Sequence, residues 1–203
     1  MAELPPSLAK HIDPVGRERA FEAIGSSYPD LHCIVPGIWL GNQRAAGIYF
    51  KFEDCEAARA KALEELQQRK ISVVVCCCGH GPEWRIFSKV GISYADAHLL
   101  DGKPEDIAES ASQVGPLLLE ALPLVRAAMA RGEGVLVHCN SGIHRSASVV
   151  CGLLMILNGL SLEESFRVTV LARAVAYPIF WPYLSSGDFA AIVAKSRAEL
   201  QRS

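Results

Sequence analysis

The sequence has no surplus of either charge: 20 Lys and Arg stand against 22 Asp and Glu, for a formal net charge of -2. Its basic residues are scattered, so the chain lacks the cationic stripe that polymeric nucleic acid or an anionic membrane surface would require. Neither is expected as a partner. Long hydrophobic runs are missing as well. The longest that matters, Ala147 to Leu157, is too short to span a bilayer, and the polar start from Met1 to Pro6 has neither the basic nor the apolar region of a signal peptide. The expectation is a soluble intracellular chain, cytoplasmic with the nucleus also open. No internal repeat and no low-complexity tract is present. A disulfide framework is absent too: the seven cysteines, at 33, 55, 76, 77, 78, 139 and 151, are odd in number and three are adjacent. They read as reduced thiols.

What is there fits one compact domain, since half of the 203 residues are hydrophobic. Residues 1–30, with Pro5, Pro6, Pro14 and Pro29, read as a leader wrapped on the domain, with a short helix from Arg17 to Ile24. The domain proper is expected over 31–203. Cys33 to Gly41 predicts two short strands around the Pro36-Gly37 turn. Ala58, Ala62, Leu63 and Leu66 recur at helical spacing within Glu53 to Arg69, and the apolar run Lys70 to Cys78 then predicts a buried strand. A weaker strand, Ile92 to His98, opens into a polar loop ending at Pro104. A long helix over Glu105 to Arg131 is expected to bend at Gly115-Pro116 and at Pro123. Val135 to Val137 form a short buried strand, followed by helices over Ser146 to Leu157, Leu162 to Ala174 and Gly187 to Gln201. Strands alternating with helices predict an α/β three-layer domain whose central sheet is mostly parallel, or mixed if the first strand pair joins it.

The segment from His138 to Ser146, His-Cys-Asn-Ser-Gly-Ile-His-Arg-Ser, carries the chemistry. It follows a buried strand and opens a helix, which is where an open α/β sheet binds ligands. Backbone N–H groups of Asn140, Ser141, Gly142, Ile143 and His144 can curl around a tetrahedral anion, helped by the freedom of Gly142 and the positive end of the helix. The same field favours a thiolate, so Cys139 is expected to titrate below the ordinary cysteine value and to act as a nucleophile. The planar guanidinium of Arg145 can hold two phosphoryl oxygens at once. Ser146 can donate a hydrogen bond to the sulfur as it leaves.

This loop resembles the signature of the protein tyrosine phosphatase superfamily: His-Cys, five residues, Arg, then Ser or Thr. Ile34 to Gly41 is similar to the opening strand pair of dual-specificity phosphatases, Ile71 to Val75 to their next core strand, and Ser146 to Leu171 to the helices after the signature. The resemblance covers roughly residues 32 to 190. It implies an atypical, single-domain member that hydrolyses phosphotyrosine and phosphoserine or phosphothreonine on proteins through a cysteinyl-phosphate intermediate, with no metal and no cofactor. By resemblance, His138 orders the loop through hydrogen bonds. Two departures stand out. His144 occupies a position where most relatives have a small residue, and Tyr177 to Tyr183 replaces a stretch that usually starts with Arg-Pro.

The leaving oxygen needs a proton, and the same carboxylate can then activate water. Asp101 is the expected donor. It follows the weaker strand, precedes Gly102 and Pro104, and with Tyr94 matches the family's tyrosine and aspartate. Asp96 competes from within the strand, whereas Glu105 and Asp106 read as charges at a helix N-terminus. His144 reads either as a solvent-facing loop residue or as a contact to the substrate that adds pH dependence. Cys76, Cys77, Cys78 and His80 do not read as a metal site, because consecutive strand residues point to opposite faces. Cys76 or Cys78 is a candidate redox partner of Cys139, against the plainer reading of small core residues.

Three alternatives remain open at this point. The substrate can be a phosphoinositide, a phosphoglucan or an RNA 5′ phosphate, although uncharged Asn140, Ser141 and Ile143 disfavour a polyanionic head group. Glucan-directed relatives share the His-Cys-Asn start but add a carbohydrate-binding module. A phosphate-binding pseudophosphatase module would usually have lost the cysteine, and a sulfurtransferase would need no upstream acid. The oligomeric state is not legible.

Overall fold

The structure, a computed structural model, describes residues 3–24, 26–48, 55–79 and 84–202. Its centre is a five-stranded sheet in the order β1-β2-β5-β3-β4. Strands β1 (Leu31–Val35) and β2 (Ile38–Gly41) form an antiparallel hairpin, and Gly37 takes the positive φ of 86° that its tight turn needs. From β2 inward the pairing is parallel: β2 with β5 (Gly134–His138), β5 with β3 (Ile71–Cys76), and β3 with β4 (Ser93–Asp96). The sheet is therefore mixed. Every residue of β5 is buried, which explains why this strand reads as a continuous apolar run without alternation.

Helices cover both faces. Val73, Val75, Val135 and Val137 pack on one side against α5 (Pro104–Ala130) and α6 (Arg145–Leu157). Val74 and Leu136 pack on the other, with Leu66 of α3 (Cys55–Gln68) and Phe87 of α4 (Trp84–Lys89). Helix α6 is apolar nearly all round because α7 (Leu162–Ala172) and α9 (Gly187–Arg202) close over it through Phe166 and Phe189. A short α8 (Trp181–Leu184) lies between them, in a segment where the sequence pattern predicts no helix.

Helix α5 runs unbroken through Pro116 and Pro123, where the sequence pattern predicts bends. Both prolines are exposed. The carbonyls they orphan thus face solvent, while Val114, Leu118, Leu122 and Val125 keep the buried stripe intact. Before β1, α1 is Pro6–Ala9 and α2 is Pro14–Ala23, which begins earlier than the expected Arg17 because the Asp13 side chain caps it by accepting from the Val15 N–H. Leu8 enters the main core, and Ala20 packs on Ile143 and Val175. The expected start of the third helix at Glu53, and His80, which is not expected to hold a metal, lie outside the described residues. Among the described residues, no helix is long and apolar enough to cross a membrane.

Candidate active site

Strand β5 delivers the chain to Cys139, and α6 begins at Arg145. The intervening loop is held from outside through its carbonyls. The Gln43 N–H donates to Asn140 O at 3.2 Å and the Tyr177 N–H to Ile143 O at 2.8 Å. Arg173 takes the other two, with Nε donating to Gly142 O at 2.8 Å and Nη2 to Ser141 O at 3.3 Å. A loop whose carbonyls are engaged on the outer side presents its amides to an anion. Gly142, at φ 66°, lies so close to β2 that a Cβ would sit 2.6 Å from the Gly41 carbonyl. Only glycine fits there.

Arg173 is the residue that sequence reasoning missed. It is 1% exposed, and Nη1 also donates to Pro29 O at 3.1 Å and to His32 Nδ1 at 2.8 Å. An arginine can only donate, so His32 accepts through Nδ1 as a neutral imidazole. Burial, and then the Arg173 charge, push the His32 pKa down to about 4. The Tyr28 ring lies against the guanidinium at 5.0 Å. The available signal was an arginine set within the apolar stretch from Val168 to Val175.

A cavity of about 360 Å³ is lined by Asp101, Cys139, Asn140, Ser141, Ile143, His144 and Arg145. Cys139 is at its base, 2% exposed, and accepts a hydrogen bond from Ser146 Oγ at 3.1 Å. Arg145 donates from Nη1 to Leu99 O at 3.1 Å, and its Nε lies 3.1 Å from Asp101 Oδ2. The same carboxylate oxygen is 3.4 Å from His144 Nδ1. A hydrogen bond from His144, reinforced by the Arg145 charge, holds the Asp101 carboxyl below the usual carboxylate range against the opposing effect of burial. Asp96 stands outside the cavity. Burial and the neighbouring Cys76 thiol raise its pKa, and its register partner is Cys76.

His138, expected among the substrate-binding residues, does not line the cavity and is fully buried. The reason is strand alternation: His138 follows Leu136 onto the α3/α4 side, whereas Val137 and Cys139 face α5 and α6. Gly142 also stays off the cavity wall, its carbonyl held by Arg173. Of the adjacent cysteines, Cys77 responds most plainly to Cys139. Burial pushes its thiol up, and Cys139 adds to the effect. Cys76 instead meets Cys78, Sγ to Sγ 3.8 Å, and its titration is influenced by Cys78, His138 and Tyr94.

The rim is built from several elements. The Tyr177 ring meets His144 edge-on at 6.2 Å, and the Arg17 guanidinium of α2 stacks on the same Tyr177 ring at 4.4 Å. Beyond Tyr177 opens an apolar groove of about 260 Å³, walled by Pro104, Ile107, Ala111, Phe180 and Trp181.

A cysteine thiol, an arginine and a carboxylate line one cavity at the carboxyl edge of an α/β sheet. The family model for the dual specificity phosphatase catalytic domain matches residues 55–181, and the chain belongs to that family, within the cysteine-dependent protein tyrosine phosphatase superfamily. It is 28% identical over 158 residues to mouse dual specificity phosphatase 28, covering 77% of this chain and 82% of that protein. It is 31% identical over 119 residues to human protein phosphatase Slingshot homolog 3, covering 59% of this chain and 16% of that one. The crystal structure of human DUSP28 superposes with a TM-score of 0.54 at 25% identity, over 85% of this chain and 96% of that chain. The chain spans only 6% and 5% of the length of two other curated relatives it matches, both MAP kinase phosphatases with leucine-rich repeats from Dictyostelium discoideum.

Proposed function

We propose that this chain is a dual-specificity protein phosphatase that cleaves phosphotyrosine and phosphoserine or phosphothreonine in proteins. Residues 31–203 are taken as the catalytic domain, and the 1–30 leader supplies α2 beside the loop. The observation that carries the reading is that Cys139, Arg145 and Asp101 line one cavity.

The cycle follows from their chemistry. Phosphate oxygens enter the loop and take over the Arg145 guanidinium, which frees the Asp101 carboxyl from its ion pair. Cys139 Sγ attacks phosphorus as the P–O ester bond breaks, and Asp101 gives its proton to the leaving oxygen. Asp101, now a carboxylate, takes a proton from the water that attacks the cysteinyl phosphate. The S–P bond breaks, and Ser146 Oγ donates its hydrogen bond to the departing thiolate. The apolar groove next to Tyr177 suits the residues that flank a phosphorylated side chain on a protein. It offers little to a polyanionic head group.

The test is hydrolysis of an aryl phosphate by chelator-treated protein, followed by a phosphopeptide panel with the Cys139→Ser trap. Turnover lost in Cys139→Ser is the expected result. No turnover by the wild type, or an unchanged rate in the variant, rejects the proposal.

A further inference from the structure

The parallel register of β3 and β5 sets Cys76 opposite His138 at the carboxyl edge of the sheet, directly before the phosphate loop. Both side chains are buried. Cys77 is influenced by Cys139, while its own N–H donates to His138 O at 2.8 Å. Cys78, beyond the strand end, comes back to Cys76, Sγ to Sγ 3.8 Å. The expectation that adjacent cysteines cannot share a centre holds for Cys76 and Cys77. It does not apply to residues two apart, and the third group arrives from another strand.

The ligand atoms of Cys76, Cys78 and His138 all lie within 4.8 Å of one another, and all three residues are buried. Two thiolates at about 2.3 Å from one tetrahedral zinc ion are themselves about 3.8 Å apart. The sulfur pair already has that spacing. We propose that Cys76, Cys78 and His138 bind a thiophilic divalent cation of the zinc type, at a site separate from the catalytic cavity.

The donor set selects the ion. Two soft sulfurs and one imidazole suit zinc and disfavour magnesium or calcium, which take oxygen ligands. Charge balance suits a buried position: a doubly charged cation with two thiolates and a neutral imidazole is neutral overall, which limits the cost of leaving water. On binding, two S–H bonds give up their protons to solvent and two S–metal bonds form, with no change of oxidation state. Three protein ligands leave the fourth position to solvent. The ion would fix His138, the residue that immediately precedes the nucleophile.

The experiment uses the full chain, kept reduced with a phosphine, stripped with a chelator, loaded with zinc chloride and desalted. About one zinc ion per chain is expected for the wild type and for Cys139→Ser, and little for Cys76→Ser/Cys78→Ser. Cobalt(II) in place of zinc should give thiolate-to-metal charge-transfer and tetrahedral d–d bands in the first two proteins and not in the third. Far-ultraviolet circular dichroism checks the fold. If the double variant is unfolded, Cys78→Ala alone is read instead, and the charge-transfer band must weaken. Absence of bound zinc in the wild type, equal zinc in the folded cysteine variant, or loss of zinc on Cys139→Ser alone would each overturn the proposal, the last by assigning the metal to the nucleophile.

Discussion

His144 Nδ1 lies 3.4 Å from Asp101 Oδ2, so the one unusual residue of the phosphate loop grips the carboxylate proposed as the general acid. This relationship joins the helix-cap end of the loop to the segment after β4. It puts His144 within reach of the Asp101 carboxyl, and the expectation is that His144 tunes it.

The pH dependence follows in sign. Contact with His144 and Arg145 favours the charged carboxylate, whereas expulsion of the leaving group needs the protonated form. Removing His144 raises the Asp101 pKa and enlarges the protonated fraction at a given pH. For His144→Ala, the alkaline limb of kcat/KM, measured on an alkyl phosphate with a poor leaving group, should therefore move to higher pH. A limb that stays in place, or moves down, would show that His144 does not set the acid.

Asp101→Ala should lower kcat on the same substrate by about 10²–10⁴-fold, with little change in binding to a substrate-trapping phosphopeptide. Asp96→Ala should be close to wild type, since Asp96 stands outside the cavity beside Cys76. The reverse pattern would transfer the acid role to Asp96.

Ser146 Oγ donates to Cys139 Sγ at 3.1 Å, a bond that gains strength as the sulfur takes up charge on leaving phosphorus. Ser146→Ala should slow breakdown of the cysteinyl phosphate by about 10–100-fold, the equivalent of one hydrogen bond to a charged group. Stopped-flow with an aryl phosphate should then show a burst followed by slow turnover. Equal losses in the burst and the steady rate would argue against a role in the second step.

Arg173 holds two loop carbonyls, Pro29 O and His32 Nδ1 with one guanidinium. Arg173→Met should cost about 3 kcal/mol or more in denaturant unfolding, because several buried acceptors lose their donor together. It should also weaken vanadate binding, and Arg173→Lys should rescue neither property, since a single ammonium cannot span the four acceptors. Full rescue by lysine would reduce the role to charge alone.

Much of the fold was legible in the sequence because it rests on local pattern. The hairpin around Pro36-Gly37, the β3 run and the helix opening at Arg145 each follow from turn chemistry or an unbroken apolar stretch. Helix α5 continues through Pro116 and Pro123, both on its exposed face, since a proline's effect depends on which face of the helix it occupies. Helices α4 and α8 are short, and too few residues carry a periodic signal. In the site, Cys139, Arg145 and Ser146, expected together from one contiguous motif, do lie close to one another.

By itself, then, the sequence determined that a cysteine and an arginine stand at the two ends of one strand-to-helix turn, since backbone geometry ties those positions together over a few residues. Tertiary structure alone decided what the loop touches: His144 on Asp101, Arg173 beneath Ser141 and Gly142, and Cys76 with Cys78 across from His138. These contacts join segments far apart along the chain, and they depend on strand register and on the face to which each side chain alternates, quantities that exist only once the sheet has assembled.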